Sequence, residues 1–322
     1  MPPCGVIVAQ LGGPETLDDV EPFIKSIFAD PHLVPLPGGP RTRSAVSSLV
    51  AKARAPRSRS NYAAIGGGSP IVATTLGQAE ALRAELLARG HDVAVAVAQR
   101  HGRPDTGQAI DELLAAGADR IILLPLFPQF STSTTASSEA ELRRLLAERG
   151  CELPLTVIRS WCDHPSYLDA QTALINEILQ ELPESETSRA LLVFSAHGLP
   201  QRIVDRGDPY TEEIEATVAG VIERIPRAID HVIAYQSRAG PMKWIGPNII
   251  DEVTAAAEDG RTWLGVVPIA FVSDHVETTH ELDIELKAHA AGVGIHRFHR
   301  SRCFDTDPVV GPMLADITEA YL

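Results

Sequence analysis

Short runs of apolar residues alternate along the chain with longer stretches in which apolar residues recur every three or four positions. The short runs predict buried strands and the longer stretches predict amphipathic helices. Strands are expected at 5–10, 92–98, 120–126, 155–159, 190–194, 231–235, 264–272 and 292–298. The clearest helices are expected at 76–89, 106–116, 138–149, 167–181, 211–225 and 312–322. This alternation is typical of an α/β protein with doubly wound parallel sheets.

The predicted strands divide evenly between the two halves of the 322-residue chain, which is long for one domain. Two similar four-stranded domains explain this pattern better than one very wide sheet. We predict a first domain over 1–160 and a second over 161–304. A long insertion at about 30–70 separates the first two strands, and such insertions often form lids or lips over a site.

The charge of the chain limits its partners. A net charge of −14 argues against a general nucleic-acid-binding protein. One region departs from this trend, because 41–60 contains six basic residues and no acidic one. The basic residues are Arg41, Arg43, Lys52, Arg54, Arg57 and Arg59. They form either a site for an anionic molecule or surface, or a loosely ordered basic loop.

The cysteines and the apolar runs indicate a cytoplasmic protein. Cys4, Cys151, Cys162 and Cys303 are scattered, which favours reduced thiols over a zinc site or a disulfide framework. The N-terminal residues lack the pattern of a signal peptide. No apolar run approaches the roughly 18–20 residues of a transmembrane helix, so at most a peripheral membrane contact is expected.

Polar residues follow several predicted strands at their carboxyl ends, where open α/β sheets bind ligands. In the second half, His197 follows the fifth strand, Gln236 the sixth and His275 the seventh. In the first half, Gly12 and Arg100 occupy corresponding places. These turns are expected to converge on one rim.

Glu277, Glu281 and Glu285 recur at every fourth position directly after the seventh strand. In one continuous α-helix they would share a face. The spacing has two interpretations. Asp274 caps a helix with a solvated acidic face, or the carboxylates and His275 form a transient path for a divalent cation.

Other chemistries fit the sequence less well. The GGGSP stretch at 66–70 lacks the ending of a phosphate-binding loop, and the dinucleotide fingerprint G-x-G-x-x-G is absent. Ser195 and His197 adjoin on one turn without a G-x-S-x-G elbow, which argues against a hydrolase.

Metal insertion into a macrocycle fits the combination of an imidazole with a weak metal-binding cluster. A base such as neutral histidine would remove ring N–H protons. A metal ligand on the opposite side of the ring would deliver the ion. We therefore expect His197 and Glu277 to face each other across a gap wide enough for a flat ring. The expected apolar lining is Leu11, Ile65, Phe130, Trp244 and Ile245.

Six motifs, in order and covering nearly the whole chain, resemble the ferrochelatase family. They are QLGGPETLDDVEPFIKSIFADP, YAAIGGGSPI, LPLFPQFSTSTTASS, SAHGLP, YQSRAGPMKWIGP and FVSDHVETTHELDIE. The resemblance implies two flavodoxin-like domains of the chelatase type, with the C-terminal helix at about 305–322 packed on the first. It also implies a lyase that inserts Fe(II), a substrate, into protoporphyrin IX without a required cofactor.

The resemblance implies roles for individual residues. His197 would accept pyrrole protons or bind iron, and Glu277 would act on the metal side. The acidic route would comprise Asp274, His275, Glu281 and Glu285. Contacts to the porphyrin and its propionates would come from Arg54, Tyr62 and Ser69. The cleft would be lined by Arg100, Gln129, Gln236 and Trp244. Asp316 matches a position with either an activity or a structural role.

Three departures refine the resemblance. Thr132 and the absence of cysteine after Cys303 imply that the iron–sulfur cluster of some family members is missing. Leu11 stands where coproporphyrin-using relatives carry an axial tyrosine, which favours protoporphyrin.

Two alternative functions stay open. They are a chelatase for coproporphyrin or another tetrapyrrole, and a non-catalytic heme carrier with His197 as axial ligand.

Overall fold

The chain divides into two compact units in a computed structural model that describes residues 3–34, 39–238 and 242–322. The first unit comprises Met1–Ser160 and Asp305–Leu322, and the second comprises Trp161–Phe304. Parts of two predicted features, 35–38 of the insertion and 239–241 of the YQSRAGPMKWIGP motif, lie outside the described residues.

Each unit contains a four-stranded parallel sheet, and the two sheets have the same topology. The first has the order β2-β1-β3-β4 and the second β6-β5-β7-β8. The strands are β1 (Cys4–Gln10), β2 (Val93–Gln99), β3 (Ile121–Pro125), β4 (Leu155–Val157), β5 (Ala190–His197), β6 (His231–Gln236), β7 (Trp263–Pro268) and β8 (Arg297–Arg300). The predicted α/β fold class and all eight strands are confirmed.

Helices cover both sheets, and the six helices predicted most clearly are confirmed with ends displaced by a few residues. The helices are α1 (Val20–Ala29), α2 (Pro40–Ala64), α3 (Ile71–Ala88), α4 (Thr106–Ala115), α5 (Thr135–Glu148), α6 (Pro165–Leu179), α7 (Gln201–Val204), α8 (Tyr210–Ile222), α9 (Ile249–Glu258), α10 (Val276–Thr279), α11 (Lys287–Gly292) and α12 (Val310–Glu319). A π-helical segment, Glu281–Leu286, lies between α10 and α11.

The basic region is a helix, so the loosely ordered loop was the wrong alternative. α2 spans 25 residues and begins with Pro40, whose fixed φ suits the first helical turn. Its buried stripe consists of small residues and one aromatic: Ser47, Ala51, Ala55 and Tyr62. Because this stripe lacks large aliphatic side chains, the hydrophobic pattern did not reveal the helix.

The last two strands differ in extent from the prediction. β7 ends at Pro268 instead of position 272 because the chain turns there, where the N–H of Phe271 donates to the carbonyl of Pro268 at 3.1 Å. β8 begins at Arg297, since Gly292 ends α11 and Gly294 (φ +100°) turns the chain before the strand. The carboxyl end of β8 therefore reaches Arg300.

The C-terminal helix α12 packs on α3 within the first unit. Gly311 lies against α3 so closely that a Cβ there would be 2.9 Å from the carbonyl oxygen of Ala81. Arg89 at the end of α3 forms an ion pair with Asp316 at 2.7 Å. This pair gives Asp316 a structural role.

Among the helices of the described ranges, none has both the length and the apolar character needed to span a bilayer.

Candidate active site

The second sheet brings three polar side chains together at the carboxyl ends of its strands. β6, β5 and β7 are neighbours and run parallel, so their carboxyl ends meet. His197 ends β5 and Gln236 ends β6, and these residues are register partners. α10, which carries Glu277, follows β7 after a short loop.

His197 and Glu277 are in direct contact. The Nδ1 atom of His197 lies 3.0 Å from Oε2 of Glu277. The same oxygen lies 3.4 Å from Nε2 of His275. The expected gap for a flat ring between residues 197 and 277 was therefore wrong, because the Glu277 carboxylate contacts both imidazoles directly.

The contact between His275 and Glu277 is stable only with a proton or a metal ion between the two side chains. Nδ1 of His275 is 3.0 Å from the carbonyl oxygen of Ser273, so this nitrogen must carry the proton that it donates. In neutral His275 the lone pair of Nε2 then faces the Glu277 carboxylate oxygen. Two acceptors that face each other are stabilised by a proton or a metal ion between them.

The pKa values of this cluster show how the charges interact. Burial lowers the pKa of His197, but the Glu277 carboxylate outweighs burial and the net shift is upward. Burial also lowers the pKa of His275, and the Glu277 carboxylate again outweighs it, so that this pKa is raised. Burial raises the pKa of Glu277, yet the two imidazoles outweigh it and hold this pKa well below its usual range. Glu277 is thus a carboxylate at neutral pH that stabilises positive charge on either imidazole.

The Gln236 side chain connects the strand ends to the acidic residues. Its Oε1 accepts a hydrogen bond from the Ser195 hydroxyl at 2.5 Å. Its Nε2 donates to the backbone carbonyl of Glu277 at 2.7 Å and to Oε2 of Glu281 at 3.1 Å. The Ser237 hydroxyl donates to the same Glu281 oxygen at 2.6 Å. Gln236 therefore holds Glu281 beside Glu277.

Burial and the neighbouring Glu277 carboxylate raise the pKa of Glu281 from 4.5 to about 7. A raised pKa means that protonated Glu281 stabilises the fold, fully below pH 4.5 and progressively less as the pH rises through about 7. Glu281→Gln keeps an acceptor for Ser237 and carries no charge. We expect this variant to be more stable than the wild type by about 1–3 kcal/mol above pH 7, with little difference at about pH 4.5. Urea unfolding at both pH values measures this, and an equal difference at both would contradict it.

The three glutamates do not share one α-helical face. Glu277 lies in α10, whereas Glu281 and Glu285 lie in the π-helical segment, where Glu285 N–H donates to the carbonyl of His280 five residues earlier. The Glu285 side chain is 48% exposed and lies 3.8 Å from Nδ1 of His280. Glu281 faces the cluster and Glu285 faces solvent, because the wider turn displaces residues that are four apart.

Asp274 does not cap the helix. The cap is His275, whose backbone N–H and carbonyl both bond to Thr278. The Asp274 carboxylate instead accepts two hydrogen bonds from Arg300, at 2.9 and 3.2 Å. The Arg300 guanidinium therefore competes with any cation for the Asp274 oxygens, and a part for Asp274 in an ion route stays a prediction.

The residues expected to contact porphyrin in the first unit differ in exposure. Tyr62 and Gln129 are buried, whereas Arg54 is exposed on α2 with its guanidinium 5.3 Å from the Phe28 ring centre. The Ser69 hydroxyl accepts a hydrogen bond from the N–H of Ile71 at 3.4 Å. Arg54 is the cation of this set that an anionic ligand can approach.

Arg100 has an internal partner, since its guanidinium pairs with buried Asp30 at 2.6 Å and donates to the Ser137 hydroxyl at 2.9 Å. Of the expected apolar lining, Phe130 and Ile245 are buried in their own units. The remaining three are partly exposed: Leu11, Ile65 and Trp244.

Within the described ranges, no set of three or more His, Cys, Asp or Glu side chains is arranged to hold a metal ion. The atoms of His197, Glu277 and His275 are at hydrogen-bonding separations, so an ion would enter by replacing a proton. This agrees with an expectation of weak metal binding, which stays a prediction.

The sequence did not identify three residues that contact the site cluster or its neighbours: Arg300, Asp283 and Ser237. Arg300 contacts residues 17 and 26 positions away, and no local pattern encodes such a pairing. Ser237 has φ +66°, an uncommon conformation for a residue other than glycine. Its position directly after the sixth strand was the only available signal.

Comparison with known proteins identifies the family. A family model described as Ferrochelatase matches residues 3–322. The ferrochelatase of Synechococcus sp. strain JA-3-3Ab is 41% identical across 99% of this chain and 93% of that protein. The ferrochelatase of Synechococcus elongatus is 41% identical across 99% of this chain and 82% of that protein.

Two solved structures share the fold. SirB from Bacillus subtilis with Fe3+ has a TM-score of 0.53 and 15% identity, covering 75% of this chain and 88% of that one. The sirohydrochlorin chelatase SirB from Bacillus subtilis subspecies spizizenii, in complex with cobalt, has a TM-score of 0.51 and 12% identity, covering 75% and 86%. The match to the family model over nearly the full length, with relatives about 40% identical, shows that the chain belongs to the ferrochelatase family, the lyases of heme biosynthesis.

Proposed function

We propose that this ferrochelatase inserts Fe(II) into protoporphyrin IX with His197 as the proton acceptor and Glu277 on the metal side. The observation that carries the proposal is the 3.0 Å hydrogen bond between His197 Nδ1 and Glu277 Oε2. Insertion releases two pyrrole N–H protons for each Fe(II) that enters the ring. The site must therefore accept protons and hold a divalent cation close together.

The proton acceptor is Nε2 of His197. The Glu277 carboxylate accepts the hydrogen on Nδ1, which leaves the lone pair of the neutral ring on Nε2. Among the described residues no hydrogen bond to Nε2 is seen, and the side chain is 36% exposed. A general base needs such an accessible lone pair and a pKa near the working pH.

Glu277 and His275 form the metal side. Their facing acceptor atoms, 3.4 Å apart, suit a first-row divalent ion that binds without being trapped. Because Glu277 also contacts His197, an ion that arrives at the carboxylate competes with the proton on the imidazole. Glu281, with a pKa of about 7, can exchange a proton for a metal ion near neutral pH.

The porphyrin contacts of each unit are proposed separately, from the residues of that unit alone. Arg54 is placed to pair with a propionate, because a guanidinium binds carboxylates with directed hydrogen bonds. Leu11 offers no ligand atom for an iron centre, which favours protoporphyrin over coproporphyrin. The remaining proposed contacts are Tyr62, Ser69, Arg100, Gln129 and Trp244.

No cofactor is proposed for the reaction, and Fe(II) is its substrate. An iron–sulfur cluster requires thiolate ligands, and Thr132 supplies a hydroxyl at the loop position where some family members have cysteine. The four cysteines, all within the described ranges, form no disulfide with one another, which supports a reducing, cytoplasmic setting.

A side-by-side insertion assay tests the proposal. Purified protein is given Zn(II) or Fe(II) with protoporphyrin IX or coproporphyrin, and product formation is followed by fluorescence and absorbance. We expect kcat/KM for protoporphyrin to exceed that for coproporphyrin by about tenfold or more, equivalent to about 1.4 kcal/mol. The same activity is expected in the soluble fraction of lysed cells. A preference for coproporphyrin would favour the other chelatase function, and tight heme binding without insertion would favour a carrier.

A further inference from the structure

Arg300, at the end of β8, forms a complete set of hydrogen bonds inside the second unit. Nε and one terminal nitrogen donate to the two oxygens of Asp283, at 2.7 and 2.9 Å. The terminal nitrogens also donate to the two oxygens of Asp274, at 2.9 and 3.2 Å. A fifth bond reaches the backbone carbonyl of Ser301 at 3.2 Å. These bonds match the five N–H donors of a guanidinium.

The two carboxylates bound by Arg300 bracket the metal side of the site. Asp274 immediately precedes His275, and Asp283 lies in the π-helical segment after Glu281. The segment between them, residues 275–282, contains three of the proposed proton and metal groups: His275, Glu277 and Glu281. Both ends of this segment are therefore attached to one rigid planar cation.

Arg300 is itself fixed to the sheet. It is the register partner of Val266 in β7, and the next N–H, that of Ser301, donates to the Val266 carbonyl at 2.8 Å. Its side chain is 11% exposed, so water does not compete freely for its donors. Arg300 therefore fixes the position of the 275–282 segment relative to the sheet that also carries His197.

We propose that Arg300 is a positioning residue for metal entry, which holds His275 and Glu277 in place by binding Asp274 and Asp283 together. The inference rests on the proposed function of Glu277. Arg300 touches neither His197 nor the proposed porphyrin contacts. Its loss should therefore affect the handling of the metal ion more than binding of the porphyrin. Residues that orient metal ligands typically change metal affinity or activity by about 10- to 100-fold when they are replaced.

Arg300→Lys is the first test, because lysine keeps the charge but cannot bind two carboxylates in a bidentate manner. We expect the KM for Zn(II) to rise by about tenfold or more and the KM for porphyrin to stay within about twofold of the wild-type value. The matched control is Arg302→Lys. Arg302 forms a bidentate pair with Glu177, at 2.8 and 3.0 Å, on the exposed side of the same unit. The control is expected to have wild-type values of both constants.

A second variant tests the inference independently, in case Arg300→Lys does not fold. The triple variant Arg300→Met, Asp274→Asn, Asp283→Asn removes the cation and both carboxylates, so no buried charge is left unpaired. We expect it to fold, as judged by thermal unfolding, and to show the same rise in KM for Zn(II). Wild-type KM for Zn(II) in a folded variant, or an equal change in both KM values, would overturn the inference. Because the wild type is assayed in parallel, absence of insertion in it would instead refute the proposed function.

Discussion

Replacement of Glu277 by Gln is expected to lower the rate of metal insertion by about 10²–10⁴-fold. Glutamine occupies nearly the same volume, but its amide has no negative charge to stabilise a proton or a metal ion between the imidazoles. It can also present an N–H to His197 Nδ1, which would move the ring proton to Nε2 and remove the acceptor. Initial rates of Zn(II) insertion, measured by porphyrin fluorescence, provide the test.

The same variant should change the pH dependence of stability. In the wild type, the raised pKa of His197 contributes stability that is complete below pH 6.5 and is lost as the pH rises through the folded-state value. The lowered pKa of Glu277 contributes stability that is complete above pH 4.5 and is lost only at more acidic pH. The deficit of Glu277→Gln relative to the wild type should therefore be largest between pH 4.5 and 6.5. In the variant, burial acts without the carboxylate, and the pKa of His197 followed by NMR should fall.

Glu285→Gln is the control for Glu277→Gln. It removes a carboxylate from the same stretch of chain, but this side chain is 48% exposed and lies outside the two-imidazole cluster. Its effect on the rate should be far smaller. If the two variants lost activity equally, the direct contact between Glu277 and His197 would have no special part in the reaction.

Replacement of His197 by Ala is expected to abolish measurable insertion while the fold is retained. The side chain is partly exposed at the end of β5, so its removal leaves no large internal cavity. The loss of a general base should reduce turnover by about 10²–10⁴-fold. Added imidazole is expected to restore part of the rate by supplying a proton acceptor at the vacated position. Near-normal turnover in His197→Ala would refute the assignment.

His289→Ala controls for the loss of an imidazole elsewhere in the second unit. Its Nε2 is 2.9 Å from the hydroxyl of Thr254, on two helices that carry no proposed site residue. We expect wild-type turnover and no response to added imidazole. The two histidine variants therefore separate a chemical role from a general effect of removing a ring.

The strands were predictable because they are short, apolar and flanked by turn residues. β1 and β7 are buried along their entire length, and a sheet covered on both sides requires apolar residues at every position. Helix α2 was not predictable in this way, because it buries mainly serine and alanine. Its stability depends on packing against α1, which the local sequence does not describe.

The contacts within the site were likewise only partly predictable from the sequence. The positions of His197, Gln236 and His275 after successive strands indicated correctly that the second sheet would bring them to one edge. The expectation that Glu277 would lie across a gap from His197 was wrong, since a spacing of 80 residues carries no information about distance. The π-helical turn likewise depends on backbone hydrogen bonds that the regular spacing of three glutamates does not reveal.

From the order of residues alone one obtains the α/β class, the paired four-stranded sheets and the family to which the motifs point, because periodicity and short motifs are local properties. The folded chain decided which atoms meet: the carboxylate shared by two imidazoles, the guanidinium that binds Asp274 and Asp283, and the outward turn of Glu285. Such contacts join residues that are distant in sequence, and their energies depend on burial and on atomic separations of about 3 Å, which exist only after the sheets have formed.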